Sequence, residues 1–259
     1  MTWGWNIFPW VAVWVALCSL VGAAAAWRNS KRSGWAIGSS AVGLLLLGLF
    51  IVGLWITLQR PPLRTMGETR LWYSFFLLGA GLFTYLRWHF RWILSFSTLL
   101  ASVFMLINIL RPEIHDQTLM PALQSPWFVP HVATYMFSYA LLGCATLLAL
   151  WGLFRPEQDL QEAIHRLLIG GVALFTVGML SGALWAKEAW GAYWSWDPKE
   201  AWAAATWGLY LLALHHTPKR GRGFYTLLLA AFLSLQMCWY GVNYLPSAQN
   251  SVHTYNQTR

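Results

Sequence analysis

Residues 190–200 read "WGAYWSWDPKE" and separate two apolar runs, residues 167–187 and 201–215. The second half of this stretch is a helix-start signal. Asp197 suits the cap, Pro198 the first helical position, and Glu200 completes a capping box by reaching back to the cap's own N–H. A helix therefore begins at Asp197, and the run before it belongs to a different helix. Each run approaches the roughly 20 residues that cross the hydrocarbon of a bilayer, where backbone polar groups must be satisfied within the segment. The stretch thus predicts two membrane helices joined by a short aromatic loop. The fold class that follows is all-α, a polytopic membrane helix bundle.

The rest of the chain repeats the pattern. Further apolar runs at residues 7–27, 35–58, 71–86, 92–110, 131–154 and 223–245 bring the expected transmembrane helices to about eight. Hydrophobic residues make up 58% of the 259 and charged residues 10%, which excludes an ordinary soluble domain. The first run ends in "GAAAAW" but lacks a basic leader and passes straight into "RNSKR", so it reads as an uncleaved span. On this reading residues 1–110 carry the first four spans, and residues 111–259 carry the last four with the tryptophan-rich loop 185–202. Residues 155–168, "RPEQDLQEAIHRLL", alternate charged and apolar positions at helical spacing and are expected to lie along the interface before the sixth span. Cys18, Cys144 and Cys238 each stand alone in an apolar run, with no CxxC or CxxCH. They read as small buried hydrophobes, not as a redox dithiol or a covalent haem attachment.

Lys and Arg are retained on the cytoplasmic side of a membrane, so their distribution orients the chain. Ten of the 17 fall in alternate loops: Arg28, Lys31, Arg32, Arg87, Arg91, Arg155, Arg166, Lys219, Arg220 and Arg222. The other seven fall in the opposite set. The first set is expected inside, with both termini and the tryptophan-rich loop outside. The formal charge of +8 is then an inner-face bias, with no bearing on nucleic acid.

The capping box accounts for the charges of "DPKE" but not for Trp190, Trp194 and Trp196, which precede the cap. Some of the 19 tryptophans must form interfacial belts. The density here, with Trp185, Trp202 and Trp207 flanking, points instead to an aromatic platform that stacks a large planar ligand such as haem. Lys199 or a backbone amide would meet anionic groups at its rim. Haem iron takes imidazole ligands readily, and the topology sorts the seven histidines. His89, His165, His215 and His216 fall at inner ends of spans, whereas His115, His131 and His253 fall outside. His131 opens the fifth span and His253 follows the eighth, at the level of the loop. His115 sits in a polar loop, "RPEIHDQ", where a solvated histidine needs no special reason. Asp197 has two readings, helix cap and orienter of a ring N–H, of which the cap is favoured.

The stretches "WAKEAWGAYWSWDPKEAWAAATW" (185–207), "HVATYMFSYA" (131–140) and "YGVNYLPSAQNSVHTYN" (240–256) closely resemble the CcsA (ResC) proteins of cytochrome c biogenesis. These belong to a haem-handling superfamily named for its tryptophan-rich WWD domain. The resemblance implies a protein of the bacterial cytoplasmic membrane or the thylakoid membrane that works with a CcsB (ResB) partner. It implies that haem b is presented at the outer face and attached to the CxxCH of apocytochrome c. Holocytochrome c synthase (haem lyase) activity is implied only together with that partner. Carried over residue by residue, it makes His131 and His253 the outer axial ligands. Trp190, Trp194, Trp196 and Asp197 then belong to the haem-binding loop, and His215 is an inner ligand whose neighbour His216 leaves the choice open.

Three other readings compete. A haem-delivery protein of the CcmC kind shares the loop but makes no thioether; the "DPKE" continuation and the histidine separations favour the CcsA type. A b-type electron-transfer subunit would want histidine pairs deep within spans, and none of the histidines is mid-span. A haem-free scaffold or transporter would leave the loop as an interfacial belt.

Overall fold

The computed structural model describes residues 3–28, 33–115, 125–155, 158–215, 221–248, 251 and 253. Among them are eight α-helices and no strand: α1 (Phe8–Arg28), α2 (Gly34–Leu58), α3 (Met66–Trp88), α4 (Arg91–Leu110), α5 (Phe128–Phe154), α6 (Gln158–Trp190), α7 (Pro198–His215) and α8 (Arg222–Trp239). The chain is an all-α membrane protein. Helices α1, α2, α4, α5 and α6 are long and apolar enough to cross a membrane. Helices α7 and α8 have 18 residues each, about 27 Å at the rise of an α-helix and close to the thickness of the hydrocarbon.

Two segments differ from the sequence reading. The charged stretch before the sixth span does not form a helix of its own on the interface. From Gln158 it continues into one helix of 33 residues, about 50 Å long. Its apolar positions Leu160, Ala163, Ile164, Leu167 and Leu168 are buried, so packing within the protein occupies the face that would otherwise have met the lipid surface. The eighth helix stops at Trp239, and tight 3₁₀ turns at Gly241–Tyr244 and Pro246–Ala248 carry the chain onward.

The chain forms two compact units, Met1–Leu123 and Gln124–Arg259. In the first, small residues seat the helices: a Cβ on Gly22 or Gly43 would meet Ser40 or Ser19, and one on Gly81 would meet Ser97. Among its described residues a buried acid, Glu68, opens α3 in a capping box with Thr65. It also receives both guanidinium nitrogens of Arg60 at 2.9 Å and the Arg64 N–H at 2.7 Å. Both oxygens of that carboxylate are engaged, Oε1 by Arg60 and Oε2 by Arg60 and the Arg64 and Thr65 N–H groups, which is the condition for burying a charge.

In the second unit α5 and α6 run antiparallel along a glycine seam. A Cβ on Gly171, Gly178 or Gly182 would come within 2.6 Å of Leu142, 2.7 Å of Tyr135 and 2.5 Å of His131, respectively. Steps of seven and four residues on one helix match the same steps on the other, which is the spacing of a knobs-into-holes contact. Buried hydroxyls tie the remaining helices: Ser138 Oγ to the Gly171 carbonyl (2.7 Å), Thr206 to Ser234 (2.8 Å) and the Trp207 indole to Thr176 (3.0 Å).

Candidate functional site

The loop between α6 and α7 is fixed at both ends. Gly191, with φ of +85°, closes α6 by donating its N–H to the Lys187 carbonyl at 3.0 Å. At the other end the expected box forms: Asp197 Oδ1 accepts the Lys199 N–H (3.0 Å), and Glu200 Oε2 accepts the Asp197 N–H (3.2 Å). Glu200 also takes the Ser195 N–H at 2.8 Å. These two N–H bonds flank Trp196 and hold it at a φ of +58°, a left-handed conformation unfavourable for a bulky residue.

The same Asp197 oxygen accepts two further bonds, from Ser251 Oγ (2.9 Å) and from His253 Nδ1 (3.1 Å). Both readings of Asp197 are therefore realised at once, the helix cap and the orienter of a ring N–H. Burial pushes its carboxyl up, but the Lys199 N–H, the Ser251 hydroxyl and His253 together hold it below its ordinary value. As a carboxylate it can only accept, so the proton sits on His253 Nδ1 and the Nε2 lone pair remains available. Burial pushes the pKa of His253 down, the Lys199 charge acts the same way, and Asp197 and Glu200 do not restore it; the ring is neutral at pH 7.

His131 reaches the same state by another route. Its Nδ1 lies 2.8 Å from the Gly178 carbonyl, which again only accepts, so the proton is on Nδ1 and Nε2 is left as a ligand atom. The ring stacks on Trp185 at 5.4 Å and 24°, with Tyr135 edge-on at 4.7 Å. Trp185, itself buried, also lies 5.8 Å from the ring of His253, and Trp190 packs edge-on against His253 at 4.5 Å. The structure thus gathers His131, His253, Trp185, Trp190 and Asp197 around one place. Two imidazoles, each with Nδ1–H committed, suit an iron whose other donors come from a porphyrin.

Other predicted residues lie differently. Trp194 and Trp196 form a perpendicular pair (5.7 Å, 87°), so they present a face and an edge rather than one plane, and Trp196 is 72% exposed. His215 is exposed at the far end of α7, 18 helical residues from Asp197, while His216 lies outside the described residues. His115 is half-buried. It stacks flat on Trp5 at 3.7 Å and 6° within the first unit. Sequence reasoning missed Ser251, Gly178 and Gly182. Ser251, two residues before His253, accepts the His253 N–H (3.1 Å) while donating to Asp197. The four-residue spacing of two glycines within one apolar run was the available signal for the other two.

The chain matches the family described as Cytochrome C assembly protein over residues 64–248. That segment includes every site residue named above except Trp5, Ser251 and His253. A protein of Nymphaea alba named Cytochrome c biogenesis protein CcsA is 32% identical over 236 residues, covering 74% of this chain and 77% of that one. Proteins of the same name from Chlamydomonas reinhardtii and Prochlorococcus marinus (strain MIT 9301) are 35% identical over 175 residues and 37% over 169. They are covered over 50% and 55% of their lengths, with 61% and 50% of this chain aligned.

Proposed function

Because the chain belongs to the cytochrome C assembly protein family, and so takes part in cytochrome c maturation, we propose that it is the haem-handling subunit of a cytochrome c synthase. Its substrates are haem b and the CxxCH segment of apocytochrome c, and it works with a CcsB/ResB-type membrane partner. The observation that carries this reading is the pair of matched imidazoles, His131 and His253, one before and one after the tryptophan loop in sequence, both beside Trp185 and each with Nδ1–H held, by Gly178 and Asp197 respectively.

In this reading His131 and His253 hold the iron, and Trp185 and Trp190 wall the site. Trp194 and Trp196 receive the exposed part of the ring, with Lys199 at its rim. The thioether forms when a cysteine thiol adds across a haem vinyl, sulfur to one carbon and proton to the other, which requires no nucleophile from this chain. The protein's part is positioning: it fixes the substrate by two ligands and exposes the vinyl edge to the incoming thiols. Two neutral imidazoles keep the iron six-coordinate until the acceptor's own histidine takes one place. The loop and both termini face outward, where the acceptor is, while His215 at the inner end of α7, or its neighbour His216, serves a deeper haem site together with a histidine of the partner.

The test is a visible spectrum and pyridine haemochrome of the complex purified with its partner. A low-spin, six-coordinate spectrum is expected, lost in His131→Gly and His253→Gly and restored by added imidazole. Material without Soret absorption would sink the reading.

A further inference from the structure

We propose that Gly182 is a positioning residue for His131: the missing side chain at 182 is the space in which the imidazole lies, and it sets the direction of Nε2. The proposal rests on the reading of His131 as an iron ligand.

A Cβ at position 182 would stand 2.5 Å from His131 Nδ1 and 2.6 Å from Cε1. These atoms belong to a rigid ring, not to the end of a flexible chain, so only two movements relieve the overlap. The ring can turn about its side-chain torsions, or α5 and α6 can move apart. Turning the ring breaks the 2.8 Å bond from Nδ1 to the Gly178 carbonyl and swings Nε2 away. Two rings already packed against the imidazole, Trp185 stacked at 5.4 Å and Tyr135 edge-on at 4.7 Å, restrict that turn. Gly178 and Gly182 are one turn apart on the same face of α6, so one supplies the acceptor and the other the room. Gly178 has a second demand on it, since its own Cβ would lie 2.7 Å from Tyr135 Cδ1, the ring that borders His131.

The seam contains its own control. Gly171 is packed equally tightly, its Cβ falling 2.6 Å from Leu142 Cδ2, but it lies eleven residues from Gly182 and meets no imidazole. A helix separation caused by Gly171→Ala therefore reports the packing role alone.

The experiment compares Gly182→Ala, Gly171→Ala, His131→Gly and the double variant His131→Gly/Gly182→Ala, each purified with the partner. The readouts are the visible spectrum and the rate of haem transfer to apomyoglobin. Gly182→Ala is expected to lose the low-spin spectrum and release haem about 10–100-fold faster, the range for removing a group that orients a metal ligand. Gly171→Ala should keep the parent spectrum. The double variant should match His131→Gly, because without the imidazole there is nothing at 182 to collide with. If Gly182→Ala alone fails to fold, recovery of folded protein in the double variant supports the same conclusion. A parent-like spectrum in Gly182→Ala, equal losses in Gly171→Ala, or additive effects in the double variant would overturn the proposal while leaving His131 as a ligand. A parent-like spectrum in His131→Gly would remove both.

Discussion

Asp197→Asn separates the helix cap from the orientation of His253. Asparagine caps a helix about as well as aspartate and keeps an oxygen where Oδ1 accepts from Lys199, Ser251 and His253. What it loses is the charge. A hydrogen bond to a charged group contributes about 1.5–3 kcal/mol against about 0.5–1.5 for a neutral pair. The bond to the His253 ring should therefore weaken by about 1 kcal/mol, which is roughly fivefold in an equilibrium constant. Asp197→Ala goes further: it removes the cap, at about 1 kcal/mol, and leaves the buried imidazole N–H and the Ser251 hydroxyl without their acceptor. The assay is haem transfer from the purified complex to excess apomyoglobin, beside thermal unfolding of the same samples. The Asn variant should lose haem about fivefold faster with an almost unchanged midpoint, whereas the Ala variant should change in both. Parent-like transfer from the Asn variant would refute the argument and leave Asp197 as a cap only.

Replacing Trp194 and Trp196 together by alanine should lower haem occupancy in protein that still inserts, read as the Soret-to-protein absorbance ratio; an unchanged ratio would make them interfacial aromatics. Arg60→Ala leaves the fully buried Glu68 carboxylate without its bidentate partner and should cost about 3–5 kcal/mol, checked by denaturation in detergent. His215→Ala changes an exposed residue, so the unfolding midpoint should stay put while haem capture weakens only in the presence of the partner; His216→Ala should do less.

The membrane fold was legible because a bilayer allows few alternatives. Apolar runs of spanning length can only be helices there, and the cap at Asp197 marks where one ends and the next begins. The start of α6 was not legible, because alternating charge and apolar positions describe a helix on a lipid surface and a helix packed on protein equally well. What decides is the burial of Leu160, Ile164 and Leu168 against the rest of the second unit, a tertiary fact. The stacking of His115 was hidden for the same reason: its neighbours in sequence are polar, but its neighbour in space is Trp5.

The site divides along the same line. Histidines can be sorted by which end of a span they occupy, and so His131 and His253 could be singled out from position alone. Their Nδ1 acceptors could not, because a backbone carbonyl such as that of Gly178 has no sequence signature and Asp197 already had a sufficient local role. The two acceptors nonetheless sit at related places, one on α6 twelve residues before Trp190 and one at the first residue before α7. The aromatic loop joins these two helices, with Gly191 stopping one and Glu200 fastening the start of the other. Its conformation therefore fixes the separation between the acceptor of His131 and the acceptor of His253. Among the described residues, His253 stands beyond α8 and after two 3₁₀ turns. The start of α7 holds its ring through one shared oxygen, and Trp185 and Trp190 pack beside it. In this arrangement the charges of "DPKE" and the tryptophans before them serve a single end, because the cap that begins the helix is also the group that aims the imidazole.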